Sequence, residues 1–137
     1  MTINDIEQAI IKRLQEKITT LKVEGFPEKP DEYVLTHPKG VVLVQFFSSD
    51  FSDSLTDEDI LQQETLQFIM SVSVRGLRTH TGAYEYIEQI RQALTGYVLS
   101  SCRPIKPKQI KFAGEEAGIW TYVFIFELKR KAIPDYE

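Results

Sequence analysis

Between Thr65 and Gly96 the hydrophobic pattern changes its period once, and the rest of the chain is organised around that change. Leu66, Phe68, Met70, Val72 and Val74 are apolar, while Gln67, Ser71, Ser73 and Arg75 are polar. A period of two predicts a β-strand with one buried face. Ile69 alone breaks the alternation. Residues Arg75–Gly82 then supply turn and cap chemistry. Beyond them Ala83, Ile87, Ile90 and Leu94 recur at helical spacing, with Glu85, Glu88, Gln89 and Gln92 mostly opposite. Thr81 or Gly82 can cap this helix and Gly96 can end it. The strand's apolar face and the helix's apolar stripe have to share one core.

The same reading extends to both ends of the chain. Ile3, Ile6, Ile10, Leu14, Ile18 and Leu21 predict a first helix over 3–21, capped by Thr2 or Asn4. Its polar face mixes acids with lysines, which favours packing on a sheet over a membrane-surface role. A short strand is expected over Val23–Phe26, then an irregular stretch through Pro27 and Pro30. The turn His37–Gly40 leads into Val41–Phe47, a strand apolar on both faces. Such a strand is covered on both sides by its own domain, or on one side by another chain.

Two further strands are expected, over Lys108–Glu115 and Ile119–Lys129, joined by a hairpin turn. In the last strand Trp120, Tyr122, Phe124, Phe126 and Leu128 form the core face. The opposite face offers Ile119, Thr121, Val123 and Ile125. Two helices cover one face of a sheet. The other is therefore buried against a second subunit, or lies under the long loop or the tail. The expected fold is α+β: a mainly antiparallel sheet of about four to five strands with two helices packed on one face. Residues 1–137 form a single domain, with a mobile loop at 48–63 and a loose tail at 131–137.

Composition narrows the function classes. The chain has 137 residues, 42% of them hydrophobic, enough for one core. The net charge of −4 argues against a nucleic-acid binder. Cys102 is the single cysteine, so no internal disulfide forms. The acidic start lacks a secretory h-region, and no stretch approaches the ~20 apolar residues of a membrane helix. No membrane and no specific nucleic acid is therefore expected as a partner.

The catalytic inventory is thin. His37 and His80 lie in a turn and a corner, without ligand-spaced partners, so no metal or other cofactor is expected. Cys102 and the paired serines lack nucleophile motifs, and no phosphate loop is present. The segment Ser48–Gln63 is rich in Ser and Asp, but it fails as a calcium loop: Leu55 and Leu61 stand where glycine and glutamate would be needed. It reads instead as a solvated acidic loop, or as an arm that orders on a partner through Asp50, Phe51, Asp53 and Leu55. Arg75, Arg78 and His80 precede a helix start, an arrangement that suits an anion but more often makes subunit contacts. Lys106, Lys108, Lys111, Lys129, Arg130 and Lys131 read as solvated hairpin edges rather than phosphate contacts. The chain is not expected to be an enzyme.

Three segments carry a resemblance. They are Leu35–Phe46 with Thr36-His37-Pro38-Lys39-Gly40, Ser71–Gly96 with the Leu77-to-Tyr84 corner, and Phe112–Leu128 with the Glu115-to-Trp120 turn. Together they resemble a family of small Mu-like phage and prophage tail proteins, its members similar to tail terminators. The resemblance implies a sheet with two helices on one side and a homo-oligomeric ring, commonly a hexamer. That ring would sit on tail tube or sheath subunits and stop their polymerisation. It implies assembly in the cytoplasm and then residence in a virion tail or contractile injection particle. On that expectation Arg75, Arg78, His80, Val123 and Ile125 contact neighbouring subunits, and the acidic loop docks on the tail end.

Overall fold

A capping box opens the chain. The Thr2 hydroxyl accepts from the Asp5 backbone N–H at 3.0 Å, and the Thr2 backbone N–H donates to the Asp5 carboxylate at 2.8 Å. These bonds, the backbone one first, hold the Asp5 carboxyl below its ordinary value. The structure, a computed structural model, describes residues 1–30, 33, 35, 37–53, 62–78 and 82–132. The elements are α1 (Ile3–Lys17), β1 (Lys22–Gly25), β2 (Gly40–Phe51), β3 (Gln63–Arg75), α2 (Ala83–Leu94), β4 (Lys106–Glu116) and β5 (Ile119–Lys131).

The strands form one sheet in the order β1-β2-β3-β5-β4, antiparallel except for the β1–β2 pair. Cross-strand rows follow the apolar alternation: Val42 beside Val72 beside Tyr122, Val44 beside Met70 beside Phe124, and Phe46 beside Phe68 beside Phe126. Both helices cover this face. Ile6, Ile10 and Leu14 of α1 and Ile90 and Leu94 of α2 meet Phe68, Met70, Phe124 and Phe126 in one core, each of them essentially inaccessible to water. Arg13 ties the helices together, its Nε donating to the Ala93 carbonyl at 2.9 Å while its guanidinium lies 4.3 Å from the Tyr97 ring centre.

Several boundaries differ from expectation. Helix α1 ends at Lys17, because Ile18, Thr19 and Thr20 form a β-branched run; Ile18 and Leu21 still turn into the core. Strand β4 begins at Lys106, and β5 reaches Lys131, the first residue of the expected loose tail. The largest correction is at Ser48–Phe51, expected in the acidic loop. These residues extend β2, pairing with Gln67 through Glu64. A bulge at Phe47 shifts the phase, so that Ser49 and Phe51 fall in line with the core-facing row of Leu66 and Glu64. Polar side chains then carry the pairing: Ser48 bonds Gln67 at 3.2 Å and Ser49 bonds Glu64 at 2.7 Å.

Two turns are specified locally. His37 Nδ1 accepts from the backbone N–H groups of Lys39 and Gly40, which closes the turn into β2. Ala117 and Gly118 both have positive φ, as a tight hairpin between β4 and β5 requires.

Candidate interaction surfaces

Alternation along the strands sends every second residue to the face without helices. There the rows are Val41–Ser73–Thr121, Leu43–Ser71–Val123 and Gln45–Ile69–Ile125. The connection between β1 and β2 has to cross one face, since the two strands are parallel neighbours. Tyr33 puts it on this one. Its phenol lies near Glu24, whose strand position pairs with Leu43; burial, and then the Glu24 carboxylate, push the phenol's pKa up. At this end Val41 is 1% exposed and Leu43 8%. Among the described residues Tyr33 of the β1–β2 connection therefore stands at the end of the face where Val41 and Leu43 are buried.

The other part of the face is open. Ile69, Val123 and Ile125 are half-buried, and Phe47 at the bulge is 53% exposed. Across it Ser73 and Thr121 share a hydroxyl–hydroxyl bond of 2.8 Å. Arg75, at the end of β3, belongs to this face by alternation, so Arg75, Val123 and Ile125 stand on one surface. Ile69 belongs with them although no sequence argument selected it. The signal was present, because Ile69 is the apolar residue in the polar phase of its strand.

Arg78 lies elsewhere. Its guanidinium sits 6.0 Å from the ring centre of Tyr84, on the helix side. Tyr84 lies near Tyr122, and burial followed by that neighbour raises the Tyr122 phenol. Phe112 packs on Tyr122 and Trp120 with ring centres 5.5 and 6.1 Å apart. Trp120 and Tyr122, expected in the core, therefore stand at its rim. The backbone N–H groups of Ala83 and Tyr84, which an anion at the start of α2 would need, already donate to the carbonyls of Gly76 and Leu77. His80 lies outside the described residues.

The acidic-loop residues are at the opposite end of the sheet from Arg75. Asp50 and Phe51 close β2, and Asp53 follows as an exposed residue; Leu55 lies outside the described residues. Eleven residue steps along β3 separate the Phe51 row from the Arg75 row, roughly 36 Å at strand spacing. Arg75 and the candidate docking loop therefore lie in two regions of the sheet, and Arg78 lies in a third, beside α2.

A buried ion pair at the loop end escaped the sequence reading. Glu64 is 6% exposed on the core side of β3. Arg130 Nε donates to Glu64 Oε1 at 2.7 Å, and Arg130 Nη1 donates to the Met1 carbonyl at 2.7 Å. Cys102 forms a β-bridge with Arg130, and burial pushes its thiol up against the opposing charge of Arg130. Beside this pair Arg103, Lys106, Lys129 and Lys131 surround two adjoining hollows. Among the described residues no group of three His, Cys, Asp or Glu is placed to hold a metal, and no helix is long and apolar enough to cross a membrane.

No curated protein matches the chain. A solved structure described as the virion of a native gene transfer agent particle contains a chain of similar fold, with a TM-score of 0.62 at 16% sequence identity. The match covers 96% of this chain and 98% of that one. The model of the Gp37 protein family matches residues 10–137. The chain belongs to the Gp37 protein family.

Proposed function

We propose that this chain is a structural subunit of a phage tail or related particle, and that it assembles into a ring which caps the tail tube or sheath and ends its growth. The observation that carries this reading is the uncovered apolar part of the sheet, Ile69, Val123 and Ile125 with Phe47 beside them. A lone domain leaves such a surface wet, whereas a ring covers it. Family membership and a fold shared with a chain of a virion particle support it, as does the resemblance of the three segments to tail terminators. A terminator needs complementary surfaces rather than catalytic groups. It binds the growing end and presents a face that cannot accept another tail subunit.

In this reading Arg75, Val123 and Ile125 meet the neighbouring subunit, and Arg78 does so from the aromatic rim. The segment carrying Asp50, Phe51, Asp53 and Leu55 reaches a neighbouring molecule in the particle. The direct test adds the purified protein to tail tubes growing from their own subunits. Growth should stop, with the added protein found at one tube end. Unaltered growth would remove the terminating role.

A further inference from the structure

The chain divides its charge across one end of the sheet. On the β2 side the segment Ser48–Gln63 carries Asp50, Asp53, Asp57, Glu58 and Asp59 and no lysine or arginine. On the β5 and β4 side stand Arg103, Lys106, Lys129 and Lys131 around the two adjoining hollows, with Glu127 the one acid lining them. The row Asp50–Thr65–Lys129 joins the two sides on the open face. Its ends are two strand spacings apart, about 10 Å. The basic hollows are also continuous with the open apolar face, since Glu127 follows Ile125 two residues along β5.

The base of the acidic segment is pinned. Ser52 N–H donates to the Gln63 carbonyl at 2.9 Å, Gln63 N–H to Ser52 Oγ at 2.8 Å, and Gln62 Nε2 to the Ser52 carbonyl at 2.8 Å. The clasp therefore fixes where the acidic segment leaves the sheet, between the end of β2 and the start of β3. Arg130, the central cation of the region, is already satisfied by Glu64 and Met1, whereas among the described residues Arg103, Lys106, Lys129 and Lys131 make no ion pair.

We infer that the basic hollows of one subunit receive the acidic segment Ser48–Gln63 of a second copy, making a head-to-tail contact around the ring. The inference rests on the ring reading and names the molecule that the segment reaches. A head-to-tail contact joins two different surfaces, and an acidic flank beside a basic flank on each copy is the charge arrangement it needs. Nucleic acid fits less well: the acidic segment springs from the same end of the sheet and would repel phosphates, and the net charge is −4.

The test is a charge swap followed by sedimentation of the full chain at low salt. Lys106→Glu with Lys129→Glu should weaken assembly at least tenfold, as should Asp57→Lys with Asp59→Lys. The combined four-fold variant should regain most of the assembly, an outcome that misfolding of either parent cannot produce. An assembled wild type indifferent to both pairs of reversals would overturn this contact and leave the ring standing. A wild type that is monomeric at every concentration would overturn the ring and this contact together. With Cys102→Ser in place, Asp57→Cys with Lys106→Cys should form disulfides between chains; bridges confined to single chains would overturn the inference. Binding of duplex DNA by the wild type, lost in the Lys106→Glu/Lys129→Glu variant, would also overturn it.

Discussion

Arg130 and Glu64 meet at 2.7 Å in a largely buried ion pair between β5 and β3. Ser49 supplies a hydroxyl to the second carboxylate oxygen and Met1 a carbonyl to the guanidinium. The pair thus joins the N-terminus, β2, β3 and β5 at one point. Removing one partner strands a charge away from water. Glu64→Ala or Arg130→Met should each cost about 3 kcal/mol in urea unfolding. Glu64→Leu combined with Arg130→Met should cost less than either single change. Additive losses would show that the two residues act separately.

Gly40 opens β2 with φ +152, and a Cβ there would lie 2.3 Å from the Ser73 carbonyl oxygen. That oxygen belongs to the central strand and cannot move aside cheaply. Gly40→Ala should therefore destabilise the fold by on the order of 3 kcal/mol. A melting temperature equal to the wild type's would contradict the close approach of β2 and β3 at this position.

Cys102 gives a pH dependence with a definite sign. Burial holds its folded thiol above the ordinary value of 9.0, with Arg130 opposing. The folded state therefore binds this proton more tightly than the unfolded chain. The resulting stability is complete below the unfolded thiol's pKa, and it is lost as pH rises through the folded value. Unfolding curves at increasing alkaline pH should show this loss in the wild type and less of it in Cys102→Ser. Alkylation of the native protein at pH 8 should also be several-fold slower than that of the denatured chain.

Ile69 and Ile125 are cross-strand neighbours on the open face. Ile125→Asp leaves the helix-side core untouched, so the monomer should keep its melting temperature to within about 1 kcal/mol of stability. Assembly should fall by at least tenfold in sedimentation, because a carboxylate would be buried in the contact. Charge reversal at Arg75 should weaken the same assembly less, since Arg75 sits at the edge of the face.

The layered fold was legible because period carries it. The alternation in β3 and β5 and the helical stripes of α1 and α2 each select one face, and those faces have to meet. What escaped lies where period is silent. Ser48 to Phe51 looked like loop because their pairing is polar and a bulge resets their phase. Arg130 looked like a solvated charge and Glu64 drew no notice, because partners 66 residues apart leave no local signature. Trp120 and Tyr122 have the core phase, but the two helices do not extend over that corner of the sheet. Of the candidate interface, Val123 and Ile125 emerged from alternation and Arg75 from the polar corner before the second helix; the register of β3 against β5 puts all three on one face. The separation of Arg75 from Asp50 and Phe51 required the register of β2 against β3.

If the protein ends tail growth as a ring, as proposed, the length of the tail tubes depends on it. The most direct measurement is negative-stain electron microscopy of native particles from cells with and without its gene. Tubes should be of uniform length when the protein is present and overlong and heterogeneous when it is absent. Tubes of unchanged length in its absence would contradict the proposal.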